Sequence, residues 1–411
     1  MLSWANRFSI FCFLDNHRYQ TNYHSVECLL AVGGKKDPTC DSLNGLQNLL
    51  NENRGWLFGH LSYDLKNDIE GLQTTRPEKL GFPDIFFFEP RIIIRLSEKE
   101  SDSHRMEIEC DEDAEMIFTA IMSAEIIEVS EQSRPITIHQ RVSKEKYIET
   151  IEQLKKHILR GDCYEINYCM EFFAENIVAD PLSIYQKLSS TSPNPFSALY
   201  KLDDKWLICA SPERFLKKEG NKILSQPIKG TSSRFLKDDN KDKKSKDELF
   251  ISEKDRSENV MVVDLVRNDL ARVCKEGTVK VDELFGIYSF PQVHQMISTV
   301  SGELKDKISF TEIIKATFPM GSMTGAPKRK VLELIEKYES SKRGIFSGAV
   351  GYITPEGDFD FNVVIRSIMY NASLKYLSFM AGSGITFYSD ARKEYEECLL
   401  KAEAMRGAIG K

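Results

Sequence analysis

Pro227-Ile228-Lys229-Gly230-Thr231, PIKGT, places one lysine between the end of an apolar run and a glycine. Proline interrupts strand pairing, and glycine lets a ligand approach the backbone closely. A lysine held there becomes a neutral nucleophile only if its pKa falls from about 10.4, through burial or nearby cations. By themselves the five residues describe a solvated turn more often than a reactive site, so the flanking chain has to decide.

Upstream, FSALYKL, KWLICAS, RFLKKEG and NKILSQPI read as successive strands, the last two turning at Glu219 to Asn221 and delivering Lys229 at their end. Downstream, the mixed charge run KDDNKDKKSKDE reads as a solvated loop or lid stem, since acids interrupt its bases. The long segment ELFISEKDRSENVMVVDLVRNDLARV reads as one helix carrying Glu258. Strands return in TVKVDELFGIYSF and HQMISTVSGEL, followed by helices in FTEIIKATF and APKRKVLELIEKYE. A hairpin, GAVGYIT and DFNVVIRSIMY around PEGD, precedes the strand YLSFMAGSGIT and the closing helix ARKEYEECLLKAEAMRGAI.

On the N-terminal side, a serine N-cap at Ser143 opens a helix with apolar residues at Tyr147, Ile151, Leu154 and Ile158, stopped by Gly161. YEINYCMEFF then alternates as a strand, and PLSIYQKL is a short helix. Residues 1 to about 110 are rich in short apolar strands, and a helical piece near 113 to 125 leads to a polar stretch at roughly 126 to 140. The chain therefore divides into a strand-rich region, 1–130, that completes a core, and a main region, 140–411.

With 411 residues, 41% hydrophobic and 28% charged, the chain has an ordinary globular composition. Its formal charge of -7 gives no electrostatic reason to expect nucleic acid or an anionic membrane as partner. No basic n-region leads into an apolar signal segment, and no apolar run approaches a membrane span. Nine scattered cysteines without a C-x-x-C pair fit a reducing cytoplasm better than a disulfide framework.

Glu394 and Glu397, three apart, share a helix face, and with Glu258 they form a candidate hard-oxygen site for Mg²⁺. Glu396 falls on a different face. GSMTGAPK, Gly321 to Lys328, departs from the Walker spacing, and Gly382-Ser383-Gly384 lacks the third glycine of a dinucleotide fingerprint. Both loops are better suited to presenting backbone amides to another anion. Arg366, read as part of the strand NVVIRSIM, would need an anionic partner if it faces inward, and Tyr352 could add a hydroxyl to that anion. Glu213, in SPERF, could be a buried carboxylic acid or a turn residue.

In this order, SPERF, PIKGT, KDRSENVMVVDLVRNDLARV, GSMTGAPK, GAVGYIT, VIRS, AGSGI and the terminal glutamate helix resemble the chorismate-utilising enzymes, over roughly residues 140 to 410. GWLFGHLSYDL is similar to the GYxSYDL region of some members. The resemblance implies an α+β fold of two antiparallel β-sheets packed face to face with helices outside. The lysine of PIKGT resembles that of the aminodeoxychorismate synthase component I branch, where the anthranilate branch usually has alanine.

The implied reaction joins chorismate and ammonia into 4-amino-4-deoxychorismate, for 4-aminobenzoate and folate biosynthesis. Lys229 would attack C2, Glu213 would protonate the departing C4 hydroxyl, and ammonia would add at C4 and expel the lysine. Glu258 and Glu397 would ligate Mg²⁺, with Glu394 close by or acting through water. Tyr352 and Arg366 would hold the other carboxylate, the amides of Gly382, Ser383 and Gly384 would add hydrogen bonds, and Thr231 would line the site. No amidotransferase segment is recognisable, so ammonia is expected from a separate glutamine amidotransferase subunit. An anthranilate synthase component I and a catalytically silent chorismate-binding subunit are the alternatives.

Two positions depart from the family pattern. VHQMIS stands where VHHLVS is common, putting Gln295 at the position of the active-site histidine and His294 on the opposite strand face. Glu165 replaces a glutamine frequent in relatives, as an ammonium ligand or a salt-bridge partner.

Overall fold

The computed structural model describes residues 1–19, 23, 28–34, 42–52, 55–98, 104–125 and 136–410. Most of the polar stretch read as a boundary, 126–135, lies outside them. Among the described residues the fold is α+β, with an eleven-stranded and a nine-stranded sheet, every pairing antiparallel. The N-terminal strands enter both: Ile10–Asp15 pairs with Phe196–Leu202 in the larger sheet, and Leu57–Leu61 pairs with Ala349–Ile353 in the smaller.

Strand alternation separates the interior into two cores. Along Cys28–Gly34, Leu29 and Ala31 face the smaller sheet, while Leu30 and Val32 face the outer helices. Along Tyr376–Ile385, Met380 belongs to the inner core, and Leu377, Phe379 and Ala381 belong to the outer one. The outer core is closed by Lys144–Leu159, Pro181–Thr191, Lys328–Tyr338 and Ala391–Ile409. The helix Glu253–Val273 packs instead with the inner core, through Val262, Val263, Val266 and Leu270.

Local chemistry sets the element ends. The hydroxyl of Ser143 accepts the Lys146 N–H at 3.2 Å and starts its helix as expected. The charge run is a correction: it is not a loop but the helix Asp239–Ile251, capped by the Asp238 side chain. The segment after it is two helices, because Ser252 ends the first and caps the second, Glu253–Val273.

A second correction concerns Arg366. The expected single strand is two, Phe359–Asn362 in the smaller sheet and Ser367–Asn371 in the larger. The chain crosses between sheets over residues 363–366, and Arg366 takes φ +49° in that crossover. The GSMTGAPK loop serves the larger sheet: Gly325 pairs with Ile166, and Lys328 is held 2.6 Å from Asp269. No helix among the described residues is long and apolar enough to cross a membrane.

Candidate active site

Lys222–Gln226 and Ile228–Ser233 lie on the same side of Val293–Glu303, separated by Pro227. Ile228 opposes Ile297 and Thr231 opposes Gln295, so the PIKGT strand carries one extra residue in a bulge. Gly230 takes φ +93° there, a conformation that glycine adopts without strain. The bulge turns Lys229 toward the larger sheet, where its ammonium donates to Glu165 Oε1 at 2.5 Å. The lysine side chain is 11% exposed and that of Glu165 2%. Burial disfavours the ammonium, but Glu165, Glu258 and Glu213 outweigh burial and hold Lys229 protonated well above the ordinary lysine range.

Beside this pair lies a cavity of about 140 Å³ lined by Glu213, Thr231, Gln295, Phe346, Arg366, Gly382 and Lys401, among others. Glu213 follows the strand Lys205–Ser211 and is buried. Burial pushes its carboxyl up to about 7, opposed by the nearby Ser322 hydroxyl and Ile228 N–H dipoles and by the charges of Lys229 and Arg366. The Arg366 guanidinium has no hydrogen-bond or ion-pair partner among the described residues, and burial brings its pKa down to about 10. A cation aimed into a cavity without a permanent counter-ion is suited to an anionic ligand.

Alternation sorts the glycine strand. Gly382 lines the cavity and Gly384 faces the Lys229–Glu165 pair, but the Ser383 hydroxyl lies on the other face, 3.4 Å from Tyr147 Oη. Ser383 can serve the cavity through its backbone alone. Strand Ser367–Asn371 stops pairing at Ile368 opposite Phe379, so beyond it Tyr376–Ile385 has a strand partner on one side only among the described residues.

Tyr352 is not brought to the cavity. It packs in the inner core against Trp56 and Phe58, and the aromatic at the cavity wall is Phe346, six positions earlier. The one-residue offset at VHQMIS has its expected effect. His294 faces away, with Ser289 at 2.8 Å and Asp242 at 3.2 Å, while Gln295 lines the cavity with its Oε1 buried and without a partner among the described residues.

Glu258, from Glu253–Val273, and Glu394 and Glu397, from Ala391–Ile409, gather at one end. Lys254 stands between Glu258 at 3.9 Å and Glu394 at 3.8 Å, distances of ion pairs rather than hydrogen bonds. Glu397 pairs with Lys401 at 2.8 Å, and Lys401 also donates to the Gly382 carbonyl at 3.0 Å. Burial raises the Glu258 carboxyl to about 7, and its Oε1 is buried without a hydrogen-bond partner among the described residues. No three His, Cys, Asp or Glu side chains among the described residues already converge tightly enough to hold a metal ion. The donor set nonetheless suits a hard cation, because these carboxylates gather around a positive charge and one oxygen is left unsatisfied. Glu396 is exposed, away from the group.

Lys254 and Lys401 are the residues that sequence reasoning missed. Both were accessible to it, since each lies four positions from an expected metal-ligating glutamate and so on the same helix face.

Facing sheets with a partly buried cavity, a lysine in a bulge, a buried acid, an unpaired arginine and a carboxylate group define an enzyme for a small anionic substrate. The chain belongs to the chorismate binding enzyme family, which matches residues 11–407. It is 32% identical over 370 residues to aminodeoxychorismate synthase component 1 of Bacillus subtilis, covering 87% of this chain and 77% of that one. It is 33% identical over 362 residues to anthranilate synthase component 1 of Saccharolobus solfataricus, covering 87% and 81%. The crystal structure of anthranilate synthase component I from Streptococcus pneumoniae superposes with a TM-score of 0.78 at 23% identity, covering 95% of each chain.

Proposed function

We propose that this enzyme converts chorismate and ammonia to 4-amino-4-deoxychorismate through a covalent intermediate on Lys229, supplying 4-aminobenzoate and folate biosynthesis. The observation that carries the reading is the placement of Lys229. The only lysine of PIKGT is held beside the cavity by a bulge, next to an acid whose pKa of about 7 leaves it able to give a proton near neutrality. An alanine in its place would leave the cavity no nucleophile at that position.

Arg366 would bind one substrate carboxylate, with backbone amides of the Gly382 to Gly384 segment adding hydrogen bonds. Lys229 Nζ attacks C2, the double bond shifts, and the C4 hydroxyl leaves as water with the Glu213 proton. Ammonia then adds at C4, and the lysine departs from C2 with the double bond restored. Glu258, Glu394 and Glu397 would hold Mg²⁺, with Lys254 giving way. Bound there, the ion would neutralise the ring carboxylate and draw charge toward it.

The relatives named component 1 support a two-component arrangement. Here the second component would be a glutamine amidotransferase that delivers ammonia. Eight described cysteines carry free thiols, in keeping with a reducing cytoplasm. Incubating the purified protein with chorismate, Mg²⁺ and ammonium, and separating the products by chromatography, tests the reading. Aminodeoxychorismate is the expected product, and anthranilate as the main product would overturn it. Turnover equal to that of a Lys229→Ala, Glu397→Ala double variant would identify a silent chorismate-binding subunit.

A further inference from the structure

A nucleophilic lysine has to shed a proton, and the substrate-free site is arranged to keep one on it. We propose that Glu165 is the base that takes the proton from Lys229 as the amine attacks and returns it when the lysine is expelled. The proposal rests on the reading of Lys229 as the nucleophile.

Glu165 Oε1 and Lys229 Nζ are 2.5 Å apart, one from each sheet, so the pair bridges the two layers at the cavity edge. The space for it is specific. A Cβ on Gly384 would lie 2.6 Å from Glu165 Oε1 and 3.0 Å from Lys229 Nζ, so a side chain there would push the carboxylate end of the pair aside. The Glu165 backbone is fixed as well: it opposes Ala326 in the sheet, and the Tyr164 N–H donates to the Ala326 carbonyl at 2.7 Å. Glu165 Oε2 is buried and has no hydrogen-bond partner among the described residues, so Lys229 is the group that the carboxyl contacts there.

Among the described residues four other acids lie around the lysine, Glu397 of Ala391–Ile409 being one of them. Glu213 comes from the connection after Lys205–Ser211, and Glu258 and Asp255 come from Glu253–Val273, with Asp255 packed against Gly230. Glu213 must begin the reaction protonated in order to give its proton to the leaving hydroxyl. Glu258 and Glu397 belong to the carboxylate group around Lys254, and Asp255 accepts from the Ser252 hydroxyl at 2.5 Å. Glu165 is the acid in contact with Nζ and without another task.

The protons balance with Glu165 in this role. Lys229 ammonium and Glu165 carboxylate become amine and carboxylic acid, with no net change of charge in the buried pair. The amine forms the bond to C2, the C4–O bond breaks, and Glu213 supplies the proton that makes water. Addition of ammonia at C4 breaks the lysine–C2 bond, and Lys229 leaves as a neutral amine that recovers its proton from Glu165. Solvent reprotonates Glu213.

The test is the rate at which intact-protein mass shows the Lys229 adduct, with chorismate and Mg²⁺ but no ammonia, between about pH 6 and pH 9. Wild type is compared with Glu165→Gln and Glu165→Asp. Titration of Glu213 affects all three proteins, so the ratio of rates is the quantity to read. With Glu165 as the base, Glu165→Gln must lose the lysine proton to solvent, and the ratio of wild type to variant grows about tenfold for each unit by which pH is lowered below the variant's lysine pKa. Glu165→Asp, which keeps a carboxylate, forms adduct more slowly but holds a pH-independent ratio to wild type. A wild-type to Glu165→Gln ratio that does not vary with pH would show a positioning role, and a variant faster than wild type throughout would show that Glu165 restrains the amine. Either result overturns the assignment while leaving the covalent reading intact. Absence of any adduct in wild type overturns both.

Discussion

Two acidic groups flank the cavity, and each faces a lysine, but the two lysines are held differently. Glu165 holds Lys229 at 2.5 Å in a pocket that admits little water, while Glu258 and Glu394 face Lys254 at 3.9 and 3.8 Å with its side chain 55% exposed. At the first distance the ammonium donates a short, charge-assisted hydrogen bond to the carboxylate. At the second the ammonium acts as a screened counter-ion that another cation can replace. The contrast fits the proposed tasks, since one pair must pass a proton without exchanging partners and the other must exchange its cation for Mg²⁺.

The tight end should show the largest effects. Lys229→Ala should abolish the adduct and reduce turnover by about 10⁴-fold or more, on the scale of removing a catalytic nucleophile. Steady-state kinetics together with intact mass would check this, and residual turnover within tenfold of wild type would dissolve the distinction between the two lysines.

Glu213 comes next. Its carboxyl titrates near pH 7, so the proton needed for leaving-group departure is present below that pH and lost above it. Turnover limited by this step should therefore fall on the alkaline side with an apparent pKa of about 7. Glu213→Gln should slow it by about 10²- to 10⁴-fold and remove the alkaline limb. A limb that survives the substitution would belong to another group.

How much of this was legible beforehand varies with the physics involved. Lys229, Glu213 and the glutamates were legible because each sits in a short motif whose order along the chain is distinctive. The opposite facing of His294 and Gln295 followed from strand period alone, and the same rule applied to Ser383 would have placed its hydroxyl on the helix side. Arg366 was read into a strand because nothing apolar marks where a chain leaves one sheet for another, and the crossover is set by tertiary packing. Tyr352 and Phe346 both sit in an apolar stretch, and only the three-dimensional register shows which of them meets the cavity. The charge run became a helix because the Asp238 cap and the Lys244–Glu248 spacing favour one, with Ser245 and Leu249 giving it a buried side. A composition rule for solvated loops does not weigh capping.

The loose end should respond in metal affinity rather than in chemistry. Glu258→Gln and Glu394→Gln should each weaken Mg²⁺ binding in the presence of chorismate by about 10- to 100-fold, measured calorimetrically, while exposed Glu396→Gln should leave it unchanged. Equal losses in all three would mean that net charge, rather than a defined ligand set, attracts the ion.

Lys254→Met should give the smallest change, in the opposite direction. If the ammonium occupies the carboxylates until Mg²⁺ displaces it, removing it should tighten Mg²⁺ binding, by up to about fivefold given the modest worth of exposed ion pairs. The gain should shrink as salt is added, because added ions screen the competing lysine. Lys254→Arg should keep wild-type affinity, since it restores a cation of similar reach. If Lys254→Met instead weakened Mg²⁺ binding, Lys254 would be organising the glutamates for the metal rather than competing with it. The two lysines would then differ in distance but not in kind.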